Sequence, residues 1–230
     1  MAKSNLKTKT VRAEGELRKR KDIIAACLKM NALGINQGTS GNISIRHCDG
    51  LLITPTSTPY EDMKPADIVF FRLDSEPTPE QRASSEWRFH RDIMRAKPDV
   101  EAIVHAHPIF CTTIAILGHD IPAVHYMIAV AGGSTVRCAP YATFGTAELS
   151  AHAVAALKDR KACLLQHHGL IATGSSVGTA LWLAVEMETL ARQYHGVLQI
   201  GKPPVLPEKE IQSVISRIAS YGYQGKSSES

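Results

Sequence analysis

Two stretches decide how this chain reads: Ser84-Ser85-Glu86-Trp87-Arg88-Phe89-His90, and, further on, Ile103-Val104-His105-Ala106-His107. The first has the form of a helix N-terminus that carries a carboxylate. The second has the form of a buried strand. Side chains alternate along a strand, so His105 and His107 face one way and Ala106 the other. Two imidazoles at i and i+2 on a rigid strand can share one metal ion. Glu86 can add an oxygen, and a third histidine from later in the chain can close the shell. Three nitrogens and one oxygen suit a tetrahedral zinc site with a displaceable position. The later histidine comes from His167-His168-Gly169. If these lie on a strand, only one of the two can reach the ion, and spacing does not choose between them. His90, four residues after Glu86, shares its helix face and makes Glu86–His90 a rival pair. The zinc-protease pattern His-Glu-x-x-His is absent.

Composition narrows the classes around that site. The chain has 230 residues, 44% hydrophobic and 21% charged, enough for one large domain with a substantial core. Aromatics are only 6%, so the core should be built from Ala, Ile, Leu and Val. The net charge of +4 gathers near the N-terminus, in Lys3, Lys7, Lys9, Arg12 and the run Arg18-Lys19-Arg20-Lys21. No aromatics interleave with it, so it reads as a solvated helix face and not as a nucleic-acid surface. Five widely spaced cysteines without Cys-x-x-Cys argue against a disulfide framework and for a reducing cytoplasm. No apolar run is long enough to span a membrane, and no signal-peptide core opens the chain.

Read in order, residues 1–11 and 223–230 are flexible polar termini around a single domain, 12–222. A helix pattern starts around Glu14 and stops at Gly34. Strands follow around Ile43–Ile45 and Leu51–Ile53, with Asp49-Gly50 as the hairpin signal, then at Ile68–Phe71. A helix capped by Ser84 or Ser85 runs to about Ala96, and Ala102 to His107 is a strand. Pro108 opens a helix through about Leu117, Ala123 to Ala131 is apolar without a clear period, and Thr135 to Cys138 is a short strand. A helix ends near Leu157, strands surround His167-His168, and helices cover Ser176 to about Leu198 and Pro207 to near Tyr221. Hairpins mixed with helices predict a mixed or antiparallel sheet flanked by helices, in the α/β class.

Three clusters of small hydroxyl residues stand out: Gly38-Thr39-Ser40-Gly41-Asn42, Thr56-Ser57 and Ser84-Ser85. Glycine lets backbone N–H groups approach an anion, hydroxyls donate further bonds, and a helix start adds a positive dipole end. Each alone is a turn or a cap. Together, beside a metal, they predict a phosphate pocket. The P-loop pattern is missing, which argues against a nucleotide site.

At this point the residues resemble the class II aldolase/adducin family. The resemblance is carried by Gly-Thr-Ser-Gly-Asn-Ile-Ser at 38–44, Ser-Ser-Glu-Trp-Arg-Phe-His at 84–90 and His-Ala-His at 105–107. His-Tyr-Met-Ile-Ala at 125–129, Ala-Pro-Tyr-Ala-Thr-Phe-Gly-Thr at 139–146 and Leu-Leu-Gln-His-His-Gly-Leu-Ile-Ala at 164–172 complete it. It implies a three-layer α/β/α domain around a mixed, largely antiparallel sheet. It implies one Zn2+ (or another divalent metal) per subunit on Glu86, His105, His107 and His168. Phosphate binding would fall to Gly41, Asn42, Thr56, Ser57, Ser84 and Ser85, with Phe144 and Tyr221 shaping the aldehyde end. The resemblance also implies a homotetramer with active sites between subunits, where Tyr126 reaches a neighbour's zinc.

The implied reaction is the reversible cleavage of a phosphorylated sugar, a ketose 1-phosphate such as L-fuculose 1-phosphate, to dihydroxyacetone phosphate and an aldehyde. It runs through a metal-stabilised enediolate, with Glu86 leaving the metal to act as acid/base and Tyr126 serving the C4 oxygen. Aldolases for 5-deoxyribulose 1-phosphate or 5-methylthioribulose 1-phosphate share these parts. Other occupants of the scaffold are a pentulose-5-phosphate 4-epimerase, a methylthioribulose-1-phosphate dehydratase and a non-enzymatic adducin-like module. Three departures from the family pattern stand out. Thr56-Ser57 replaces Thr-Gly, Ala106 stands between the histidines in place of Asn with Pro108 after His107, and Ile218 replaces a phenylalanine.

Overall fold

Side-chain alternation along the central strands sorts this chain into two cores, and the site lies where one of them turns polar. The computed structural model describes residues 2–220, with side chains from residue 14 onward. Helix α1 (Ala2–Ala32) starts earlier than the apolar pattern from Glu14 predicts. Its buried stripe is Ile23, Cys27 and Met30, at helical spacing. Gly34, at φ +70°, ends it. Two side chains of the basic run are used internally: Lys19 donates to the Arg46 carbonyl, and Arg20 binds Glu16 and the Pro65 and Ile68 carbonyls.

Strands β1 (Asn42–His47) and β2 (Gly50–Ile53) form the first hairpin. The turn is Cys48-Asp49, one residue earlier than the Asp49-Gly50 signal predicts, with Cys48 at φ +52°. Gly50 already pairs with His47 in the sheet. A Cβ on Gly50 would sit 2.2 Å from the Phe71 carbonyl oxygen, so its glycine serves close strand approach and not the turn. The remaining elements are β3 (Val69–Arg72), α2 (Trp87–Ala96), β4 (Ala102–Ala106), α3 (Ile109–Ile116) and β5 (Ile121–Pro122). A 3-10 turn (Tyr126–Ala131) precedes β6 (Thr135–Ala139), α4 (Ala147–Ala156), β7 (Ala162–Leu165), β8 (Gly169–Gly174), α5 (Val177–Leu198) and α6 (Glu208–Ser220). Periodicity foretold neither β5 nor the 3-10 turn.

The strands form one sheet in the order β3-β2-β1-β4-β8-β7-β6-β5. Every pairing is antiparallel except β6 with β7, so the sheet is mixed and largely antiparallel as expected. One core joins α1, α3, α5 and α6 to one face of the sheet, through Ile43, Ile45, Val104, Leu170 and Ala172 among others. The other joins α2 and α4 to the opposite face, through Leu51, Ile53, Phe89, Ile103 and Ile171. Each fully buried Leu, Ile or Phe contributes about 1.5–3 kcal/mol. Helices on both faces make three layers. Because Ile43 and Ile45 face α1 and α5, Asn42 and Ser44 must face α2. On β4 the same rule sends Ala102, Val104 and Ala106 to one side and His105 to the α2 side. β1 and β4 pair with Asn42 opposite His105, so these polar side chains lie next to each other beneath the start of α2.

Candidate metal centre and active-site cavity

Glu86 stands at the N-cap position of α2, and the helix proper begins at Trp87. This corrects the expectation that Ser84 or Ser85 caps it. Ser84 instead lies in the preceding turn, where its Oγ accepts from the Glu86 N–H at 3.3 Å. The position drops the Glu86 carboxylate onto the polar end of β1 and β4. Its Oε2 lies 3.1 Å from His105 Nε2, and its Oε1 3.2 Å from His168 Nε2. His107 falls one residue beyond the end of β4, yet its Nε2 is 3.0 Å from that of His105. One nitrogen from each of His105, His107 and His168 lies within 4.8 Å of the others.

The two neighbouring histidines, His167 and His168, are not on a strand. They occupy the turn between β7 and β8, with His167 in the left-handed region at φ +55°. That turn, and not strand alternation, separates their directions: His168 joins the cluster, while His167 lies near Tyr141 with ring centroids 5.9 Å apart. Gly169 makes the approach of β8 feasible. A Cβ there would lie 2.5 Å from the Ala106 carbonyl oxygen and 2.8 Å from His107 Cδ2.

The donor set fits a divalent ion. His105 Nδ1 lies 3.0 Å from the Leu170 carbonyl, which must accept a proton from it, so the Nε2 lone pair points into the cluster. Burial, together with the neighbouring imidazoles, lowers the His107 pKa to about 3, which keeps the ring neutral and able to ligate. Burial acts to raise the Glu86 pKa, but the His105 and His168 rings outweigh it and hold the carboxyl well below its usual range. Glu86 Oε1 is buried and has no hydrogen-bond partner. With His168 Nε2 at 3.2 Å beside it but no hydrogen bond, this anionic oxygen completes with the three imidazoles the N3O set that zinc-like ions prefer.

His90 does not join this set. Its Nδ1 is 2.7 Å from Ser44 Oγ and its Nε2 2.5 Å from Asn42 Oδ1, so both nitrogens are taken and the rival Glu86–His90 ligand pair fails on geometry. Asn42 turns its Nδ2 to Glu86 Oε2 at 2.9 Å. Both ends of the amide are therefore engaged inward, and Asn42 can face an anion chiefly through its backbone.

Above the cluster opens a cavity of about 390 Å3. The three predicted hydroxyl clusters meet there: Gly41 and Asn42, Thr56 and Ser57, Ser84 and Ser85 all line it. The second and third are laced together by the Pro55–Ala83 bridge and by the Thr56 N–H bond to the Arg82 carbonyl. Asn36 anchors the first by accepting from Ser40 Oγ and from the His107 N–H. A Cβ on Gly41 would meet the His105 carbonyl oxygen at 2.6 Å. Ser57 sits at φ +53°, a conformation that costs a non-glycine residue about 1–2 kcal/mol and that a glycine would adopt without that cost. Glu86, His107, His168 and Phe144 also line the cavity.

Sequence reasoning did not assign Thr39, Ser40, Tyr141 or His167 to the site, though they line it too. Thr39 and Ser40 stood inside a quoted cluster, and Tyr141 inside a quoted motif. Tyr126 is 52% exposed and lies outside this cavity. Tyr221 lies outside the described residues. Ile218, on α6, packs against the α1–α5 core of its own chain.

With fold and site in view, comparison with known proteins gives the class. A family model described as "Class II Aldolase and Adducin N-terminal domain" matches residues 21–195, and the chain belongs to that family. Among particular relatives, the chain is 52% identical over 203 residues to a protein of Rhodospirillum rubrum named 5-methylthioribulose-1-phosphate/5-deoxyribulose-1-phosphate aldolase. The match covers 88% of this chain and 92% of that one. It is also 52% identical over 203 residues to the L-fuculose phosphate aldolase of Escherichia coli K12, covering 88% and 94%. A solved structure titled L-fuculose 1-phosphate aldolase superposes with a TM-score of 0.85 at 34% identity, covering 88% of this chain and 96% of that one.

Proposed function

We propose that this chain is a metal-dependent aldolase that cleaves a ketose 1-phosphate reversibly to dihydroxyacetone phosphate and an aldehyde. The observation that carries this is the convergence of His105, His107, His168 and an unpartnered Glu86 oxygen at the foot of a cavity ringed by small hydroxyl residues. Glu86, His105, His107 and His168 would hold the ion, with zinc the best match to the donor set. Bound there, a divalent ion supplies Lewis-acid polarisation of the C2 carbonyl and offsets the charge that gathers as the C3–C4 bond breaks. The hydroxyls and backbone N–H groups of Gly41, Asn42, Thr56, Ser57, Ser84 and Ser85 bind and orient the phosphate. Glu86 moves the proton at C3 of the dihydroxyacetone phosphate half.

Tyr126, exposed and remote from its own chain's cavity, serves the C4 oxygen in the site of a second copy. Ile109, Ile116 and Leu117 are each at least half exposed, as expected of a surface that another copy covers. A homotetramer with sites between subunits accommodates both facts. Phe144, with Tyr221, shapes the aldehyde end. None of the five cysteines pairs with another, in keeping with the cytoplasm. Among the described residues, no helix is long and apolar enough to cross a membrane.

A second reading concerns only the aldehyde. Identity is equal to relatives named for L-fuculose phosphate and for 5-methylthioribulose 1-phosphate or 5-deoxyribulose 1-phosphate. The test is to supply the zinc-loaded protein with all three sugars and follow dihydroxyacetone phosphate by coupled NADH oxidation, with a chelator control. Chelator-sensitive release supports the aldolase, and relative kcat/KM ranks the aldehydes. No release from any of them, with zinc bound, would refute it in favour of an epimerase or dehydratase.

A further inference from the structure

We propose that His90 and Ser44 are positioning residues of this site: a buried chain, Ser44–His90–Asn42–Glu86, holds the Asn42 amide with its NH2 toward the carboxylate and so leaves Glu86 Oε1 free to meet the ion. The inference rests on the metal-site reading above.

All four members are buried, Ser44 and His90 completely. The links are Ser44 Oγ to His90 Nδ1 at 2.7 Å, His90 Nε2 to Asn42 Oδ1 at 2.5 Å, and Asn42 Nδ2 to Glu86 Oε2 at 2.9 Å. Polarity is imposed from the acidic end. A carboxylate only accepts, so Asn42 must present its NH2 to Glu86 and its carbonyl oxygen to His90. That oxygen needs a donor, so His90 carries its proton on Nε2. The bare Nδ1 then accepts, and the Ser44 hydroxyl is the donor in reach. Each group has one remaining role and fills it.

Packing holds the ring in place. Phe89 stacks on His90 with centroids 4.7 Å apart, and its edge meets His105 at 5.3 Å. Strand alternation explains why polar residues sit in an otherwise apolar layer: Asn42 and Ser44 are the α2-facing positions of β1, between Ile43 and Ile45 on the other face. Without the chain, Asn42 Oδ1 is left buried with no donor, the amide is no longer held against Glu86, and Oε2 loses the fixed N–H that orients the carboxylate toward the ion. This is the manner in which partners behind a metal ligand orient it.

The test compares the full-length parent with Ser44→Ala, His90→Phe and His90→Gln. Zinc affinity is measured by competition with a chromophoric chelator, kcat and KM by dihydroxyacetone phosphate release at saturating zinc, and melting on chelator-treated protein. Loss of a partner behind a ligand typically costs about 10–100-fold in metal affinity or activity, and His90→Phe should fall in that range with KM little changed. A Gln amide N–H reaches where the ring Nε2–H stood, so His90→Gln should recover most of the loss. Ser44→Ala, one step further back along the chain, should weaken zinc binding less than His90→Phe, but measurably.

A packing role predicts the reverse order, because Phe stacks on Phe89 better than Gln does. Zinc affinity and kcat within twofold of the parent in Ser44→Ala, or a better His90→Phe than His90→Gln, would overturn the relay. If His90→Phe does not fold, Ser44→Ala decides alone. A parent that binds no divalent ion would overturn the metal reading and the relay with it. A parent that binds zinc while the variants match it would overturn the relay only.

Discussion

The burial of His90 makes a quantitative prediction about acid stability. Burial first, and the neighbouring His105 second, lower its pKa from the ordinary 6.5 to about 3 in the folded protein. Unfolding returns the ring to water. Between those values the unfolded chain binds a proton that the folded one refuses, so stability falls as pH falls from about 6.5 and levels off near 3. The limiting slope is about 1.4 kcal/mol per pH unit for one group. Integrated from pH 7 to pH 5, His90 alone should cost the fold about 2 kcal/mol. His90→Gln removes the titration but keeps a polar side chain. The assay is urea unfolding of chelator-treated parent and variant at one protein concentration, at pH 7 and at pH 5. Whatever other groups lose, the parent should lose about 2 kcal/mol more than the variant, because contributions such as that of His107 cancel in the comparison. Equal losses would show that the ring titrates near its solution value, and the account of a sealed, neutral His90 would fail.

Glu86→Gln in the zinc-loaded protein should lower kcat by about 10²–10⁴-fold, the usual range for an acid/base; near-parental turnover would remove that role. Ser57→Gly should leave KM within about twofold, because the backbone N–H is kept and the cost of φ +53° is relieved, while a tenfold rise would place the phosphate contact on the Ser57 hydroxyl instead. In Gly169→Ala the new Cβ meets the Ala106 carbonyl oxygen, which cannot step aside as a flexible side chain could. Stability should drop by about 1–3 kcal/mol, read from urea midpoints, and zinc affinity should fall as His107 is displaced. Extended dialysis against a chelator should abolish aldehyde release, and added zinc should restore it; persistent activity in metal-free protein would refute the metal reading.

The strands were legible because one face of each is apolar: Ile43 and Ile45, or Ile103 against Val104, state their sides without help. The clustered histidines were legible because two of them share a strand end. The step that failed was local chemistry at turns. Asp49-Gly50 is the stronger turn signal, yet Phe71 across the sheet needs the missing side chain of Gly50, and the turn moved to Cys48-Asp49. The break at His167-His168 between two strands was legible, but which histidine turns inward was not, because the β7–β8 register leaves three residues to reverse the chain and strand alternation does not apply there. For Asn42, the resemblance gives a phosphate-binding position but not the inward turn of its side-chain amide. What turned it inward was Ser44 and His90, a contact between positions 48 residues apart that no local pattern encodes.

That same contact bears on where specificity resides. The residues proposed to hold the ion, the phosphate and the C3 proton are fixed from below by β1, β4, α2 and the β7–β8 turn. Relatives named for different sugar phosphates match this chain at equal identity, so overall likeness does not choose among the sugars. On the proposed reaction the sugars differ at the aldehyde end, where the cavity opens. There Tyr141 and Phe144 stand 56% and 64% exposed, too uncovered in one chain to grip a methyl or methylthio group. On the proposed assembly, a neighbour's Tyr126 closes that end. The three sugars differ only beyond C4, and among the described residues Tyr141 and Phe144 leave that end open. On the proposed assembly, selection among aldehydes falls to the contact between chains, and substitutions at Phe144 should change the ratio of kcat/KM values among sugars more than they change the proposed phosphate and metal chemistry.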